Sequence, residues 1–133
     1  MSWLIDTNII SEWMRKEPDP SVVQWGKQQE AFDFSVISLE EVRFGLARQN
    51  LPQKQKWFDT FVKERCRIRE VTPEIASQAG LWRGQFNRKG ATRTQADMLI
   101  AATAWRWNLT VVTRNTGDFD GCGIPLLNPF VST

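Results

Sequence analysis

Four carboxylates, Asp6, Glu41, Asp97 and Asp118, stand where apolar segments meet helix starts or loops, in a chain that contains no histidine. Without His the commonest general base and metal ligand is missing, and Ser-His-Asp or Cys-His nucleophilic arrangements are excluded. Acid/base or metal chemistry must therefore run through carboxylates, with Lys, Ser or Thr in lesser roles. Two carboxylates about 4 Å apart repel by roughly 4 kcal/mol at an effective dielectric near 20, a large share of a domain's ~5–15 kcal/mol stability. Protonation, pairing with Arg or Lys, or a cation must offset that repulsion. An all-oxygen donor set suits a hard divalent ion, so Mg2+ is the expected cofactor and Mn2+ a possible substitute. Zn2+ fits poorly, because Cys66 and Cys122 are the only thiols and show no ligand spacing.

The acids matter only if the fold brings them together. Trp3-Leu4-Ile5, the run 32–37 and the run 109–113 are short and rich in β-branched or aromatic residues, which predicts strands. Asp19-Pro20 and Thr72-Pro73 each supply an N-cap followed by proline at the first helical position, predicting helices over about 20–30 and 73–88. A further helix is expected over about 53–69. Strands separated by helices imply α/β class, with a mainly parallel sheet covered on both faces. In such a sheet ligands bind beyond the carboxyl ends of the strands. Asp6 follows the first strand, Glu41 lies about one turn into the helix after the second, and Asp118 sits in the loop after the run 109–113. Asp97 heads the stripe Ile100, Ala101 and Ala104, spaced three, four and seven residues on, so it should face the core.

Each acid also has a purely structural reading. Ser38 with Glu41 and Thr94 with Asp97 fit the capping box, Asp6 could cap the helix that begins at Thr7, and Asp118 beside Gly117 could form a turn. Capping does not, however, require all four acids to share one sheet edge.

The chain of 133 residues suits one domain spanning 1–133, and its net charge of +2 needs no explanation beyond solubility. Basic groups at 63–69 and 83–93 and the many Trp and Phe residues read first as solvated faces and core. The absence of a long apolar run argues against a membrane span, and the early Asp6, with no basic segment ahead of it, argues against a signal peptide. The expected location is the cytoplasm.

Four segments, in order, resemble the motifs of PIN-domain ribonucleases: 4–8 (LIDTN), 38–45 (SLEEVRFG), 96–104 (ADMLIAATA) and 112–119 (VTRNTGDF). The likeness is closest to the VapC-type and FitB-like toxins of bacterial toxin-antitoxin pairs. It implies a three-layer α/β/α sandwich, Mg2+-dependent cleavage of RNA, a homodimer and inhibition by a cognate antitoxin. Asp6, Glu41 and Asp97 match the family's three core acids. Some relatives carry a fourth at the position of Asn115, where only a neutral oxygen is available here, so Asp118 is favoured as the fourth carboxylate. The resemblance makes Thr7, Asn8 and Thr113 groups that orient the acids. Arg43, Arg93 and Arg114 are candidate RNA phosphate contacts. A receiver-like phosphoacceptor is disfavoured because no Lys follows Lys89. A non-catalytic RNA- or protein-binding module and a solitary RNA-processing nuclease remain as alternatives.

Overall fold

Strands in this chain are short because caps and turns crowd their ends. The computed structural model describes residues 2–130. Trp3–Ile5 (β1) ends at Asp6, which caps the helix Thr7–Trp13 (α1). A second helix, Pro20–Lys27 (α2), is capped by Asp19 and leads to Phe32–Ser35 (β2). There Ser35 caps Val36–Gln49 (α3), its hydroxyl accepting from the Ile37 amide at 3.0 Å. Pro52–Arg65 (α4), Cys66–Arg69 (β3) and Pro73–Arg88 (α5) follow. The chain then forms Gln95–Trp107 (α6), Thr110–Val112 (β4), a 3-10 turn at Thr116–Phe119 and Leu126–Leu127 (β5).

All five strands are parallel, in the order β3-β2-β1-β4-β5. The chain builds outward from β1 to β3, then returns to place β4 on the other side of β1. The connection therefore reverses between β1 and β4, and the crevice beyond their carboxyl ends is the expected ligand position. Side-chain alternation sends Leu4 and Val111 to one face and Ile5 and Val112 to the other. The first face packs on α5 and α6 through Ile75, Met98, Ile100 and Ala101, and the second on α1 to α4 through Ile9, Val22, Val42 and Phe58. The result is the expected α/β/α sandwich.

The predicted helix at 73–88 and strand at 3–5 are present as read. Three expectations change. The strand at 32–37 stops at Ser35, because its cap turns Val36 and Ile37 into the first turn of α3. The helix expected over 53–69 ends at Arg65, and Cys66–Arg69 is an edge strand. Its Cys66 and Ile68 turn toward the apolar face, while Arg67 and Arg69 alternate to the other side. A capping box at Ser38 is not formed: the helix begins earlier, and the Ser38 hydroxyl is fully buried without a hydrogen-bond partner among the described residues. Of the aromatic trio 57, 58 and 61, Phe58 and Phe61 are core, whereas Trp57 is 41% exposed and stacks on Phe61.

Candidate active site

Asp6 sits at the reversal point and is only 6% exposed. Its amide donates to the Val112 carbonyl at 2.9 Å, which locks the end of β1 to β4. One carboxylate oxygen, Oδ1, accepts from the Thr7 amide at 2.7 Å. The other, Oδ2, accepts from the Thr113 hydroxyl at 2.8 Å and from the Asn8 side-chain amide at 3.2 Å. Asn8 also spans to the next loop, with its Nδ2 at 3.2 Å from Thr113 Oγ1 and its Oδ1 accepting from the Arg114 amide at 3.1 Å. Thr7 reaches the other way, its hydroxyl donating to Glu41 Oε1 at 2.8 Å. Thr7, Asn8 and Thr113 thus tie Asp6 and Glu41 to the two strand ends, and every donor to Asp6 is neutral.

Asp97 stands in the first turn of α6, whose N-cap Thr94 accepts from the Asp97 amide at 3.0 Å. Its side chain is half-buried rather than fully core-facing. Asp118 lies on the 3-10 turn and is exposed. Asn115, also exposed, bonds through its backbone: its amide donates to Thr113 Oγ1 at 3.0 Å, and its carbonyl accepts from the Asp118 amide at 3.0 Å.

Electrostatics link the four acids. Burial pushes the Asp6 carboxyl up to about 6; hydrogen bonds from Thr113 and the Thr7 amide pull it down, while the charges of Asp97 and Glu41 raise it further. Asp97 is also raised, first by burial and then by Asp118 and Glu41, against the Thr94 hydroxyl and the Arg93 charge, which lower it. Asp6 and Asp97 therefore each feel other acids of the set. Among the described residues, no three Cys, Asp or Glu side chains stand close enough together to enclose an ion.

The arginines occupy defined places. Arg43 is ion-paired with Asp59 and lies over the Phe58 ring, 4.9 Å from its centroid. Arg114 lies beside the Asp6 network with its guanidinium 4.8 Å from the Phe130 ring centroid. Arg93 donates to the backbone carbonyls of Asp118 and Asp120 at 2.7 and 2.8 Å. Nothing in local sequence pattern signals that last contact, which joins residues 25 and 27 positions apart.

Comparison with known proteins gives a consistent result. The family model described as the PIN domain matches residues 3–121. The chain is 33% identical to VapC ribonuclease Y4jK of Sinorhizobium fredii, over 96% of each protein. It superposes on the crystal structure of FitAcB from Neisseria gonorrhoeae with a TM-score of 0.83, at 31% identity, covering 96% of this chain and 98% of that one. A toxin-antitoxin complex from Klebsiella pneumoniae matches with a TM-score of 0.76, at 25% identity, over 96% of this chain and 98% of that one.

Proposed function

This chain belongs to the PIN-domain family, and on that premise we propose that it is an endoribonuclease dependent on Mg2+, with Mn2+ a possible substitute, and the toxin of a toxin-antitoxin pair. The observation that carries the reading is Asp6: a carboxylate buried at the sheet's reversal point, bonded only to neutral donors, and raised first by that burial and then by neighbouring acids. A buried anion left without a cation is costly unless a cation arrives from outside. The donor set fits a hard divalent ion, being all oxygen and partly preorganised by Thr7, Asn8 and Thr113.

Asp6, Glu41, Asp97 and Asp118 would hold the ion. When bound, it supplies Lewis acidity to a phosphodiester oxygen and acidifies a coordinated water. Asp6 is held in one rotamer by its three donors, and Thr7 holds Glu41 toward it. Asn115 could contribute a neutral oxygen but no charge. Arg114 joins the Asp6 network through its backbone amide while its guanidinium lies over Phe130, and it is the candidate for a backbone phosphate, whereas Arg43 would have to leave Asp59 to make such a contact. No histidine is available to take the ribose 2′-hydroxyl proton, so hydrolysis should leave 5′-phosphate and 3′-hydroxyl ends. Analysis of the cleaved ends checks this, and a predominance of 2′,3′-cyclic phosphate contradicts it.

The partners follow from the relatives. A structural neighbour is a toxin-antitoxin complex, which supports a cognate antitoxin for this chain, and the family resemblance supports a homodimer. We read residues 1–133 as one domain that acts in the cytoplasm; among the described residues no helix is long and apolar enough to cross a membrane. A second reading, a non-catalytic RNA- or protein-binding module, is favoured by one observation: the acids do not close on a common point. Incubation of the purified chain with RNA separates the two. Cleavage that requires Mg2+ and stops with EDTA supports the nuclease, and RNA binding without turnover supports the module.

A further inference from the structure

The acid whose placement is least secured by its own surroundings is Asp118. It is exposed on a four-residue 3-10 turn, and its carboxylate is not buried as that of Asp6 is. Its position therefore depends on what anchors the loop. Arg93 precedes Thr94, the cap of α6, and so lies at the base of the helix that carries Asp97. From there its guanidinium donates through Nη1 to the Asp118 carbonyl at 2.7 Å and through Nη2 to the Asp120 carbonyl at 2.8 Å. The same guanidinium lies over the Phe86 ring of α5, 4.2 Å from its centroid. Phe86 in turn backs the end of the loop: Gly121 has φ +86, and a Cβ there would stand 3.1 Å from the ring. One side chain thus joins α5, the start of α6 and the Asp118 loop.

We propose that Arg93 is a positioning residue that holds the Asp118 loop against the start of α6 and so sets the separation of the Asp97 and Asp118 carboxylates. The role rests on the metal-dependent nuclease reading. Its chemistry fits arginine specifically. A planar fork delivers two fixed N–H bonds to two carbonyls and stacks on an aromatic face, whereas lysine offers a point charge that can satisfy only part of this. Because the bonds go to backbone oxygens, Arg93 orders the loop without an ion pair that would compete for the Asp118 carboxylate. A basic side chain beside a nuclease centre would otherwise be read as a phosphate contact. Here each terminal nitrogen already donates to a loop carbonyl.

The test is a double-mutant cycle on the intact chain. Mn2+ affinity is read by electron paramagnetic resonance, and the unfolding midpoint is measured in EDTA. Arg93→Gln should weaken Mn2+ binding about tenfold, in the range expected when a group that orients ligands is removed. Asp118→Asn should weaken it comparably. The double variant should bind no more weakly than Asp118→Asn alone, because Arg93 acts through that carboxylate. Arg93→Lys should recover part of the loss, and it serves as the test variant if Arg93→Gln does not fold. Unchanged affinity in a folded Arg93→Gln overturns the proposal. So does an equal further loss in the Asp118→Asn background, which would mark a general structural role. If the wild-type chain neither binds Mn2+ nor cleaves RNA, the nuclease reading fails first and the positioning role with it. Wild-type binding that Arg93→Gln leaves untouched removes the positioning role alone.

Discussion

Asp6 and Asp33 are both buried aspartates on adjacent parallel strands or at their ends, 6% and 8% exposed. They are treated in opposite ways. Asp33 receives the Arg69 Nε at 2.8 Å, and that guanidinium also lies 4.6 Å from the Trp107 ring centroid, so charge is matched and shielded. Asp6 has no ion-pair partner among the described residues and relies on a hydroxyl, a side-chain amide and a backbone amide. One buried charge is neutralised from within the chain. The other has only neutral donors and sits where the sheet's connection reverses, and under the proposed function it is left for a cation from outside. On that reading the difference separates a carboxylate that serves the fold from one proposed for chemistry.

The largest effect should come from removing the available charge. Asp6→Asn keeps the N-cap and most hydrogen bonds but loses the anion, and RNA cleavage should fall about a thousandfold, as it does when preorganised charge at a reacting centre is lost. Quantified cleavage at saturating Mg2+ checks this, and full activity would remove Asp6 from the site. The complementary change tests the matched pair. Arg69→Met strands Asp33 in the interior and should cost about 3 kcal/mol of unfolding free energy in denaturant titration, while the folded fraction keeps its cleavage rate. A neutral outcome would mean that Asp33 is solvated well enough to stand alone.

A smaller effect should appear with pH in metal-free protein. The folded-state value of Asp6, about 6, lies above its ordinary 3.8. The native state therefore binds the extra proton, and this group's contribution is fully present below pH 3.8 and lost as pH rises through about 6. Relative to Asp6→Asn, the wild type in EDTA should lose about 2 kcal/mol between pH 4 and 7. Asp97 is raised in the same direction and its charge acts on Asp6, so the difference between the two proteins reports the coupled pair rather than Asp6 alone. A flat difference would show that the burial of Asp6 carries no charge penalty.

The same contrast marks what the sequence made legible. Short-range signals survive folding: Asp19-Pro20 and Thr72-Pro73 begin helices, and the alternation of strand and helix predicts the parallel sheet. Asp6, Glu41 and the ring of Thr7, Asn8 and Thr113 meet because three connections end at one edge, which topology alone predicts. Contacts between distant side chains were not legible. Cys66–Arg69 read as a continuation of α4, because its basic residues mask a two-residue alternation and its pairing partner lies some thirty positions earlier. Ser35 took the capping role that the spacing assigned to Ser38, because a hydroxyl at a strand's end is indistinguishable in sequence from one three residues later. Arg93 read as a phosphate contact for the same reason that Arg69 read as part of a basic face: sequence shows charge, and only the fold shows where it is already used.

The central claim is that Asp6 lacks a partner so that a divalent cation can take that place. Its most direct test is the unfolding midpoint of wild type and Asp6→Asn, measured at neutral pH over a titration of free Mg2+. A ligand that binds only the folded state raises stability as the logarithm of its concentration above Kd, about 2.7 kcal/mol at a hundredfold excess. The account predicts that the wild-type midpoint climbs with Mg2+ while that of Asp6→Asn starts higher and stays nearly level. Parallel responses in the two proteins, or none in the wild type, would contradict it.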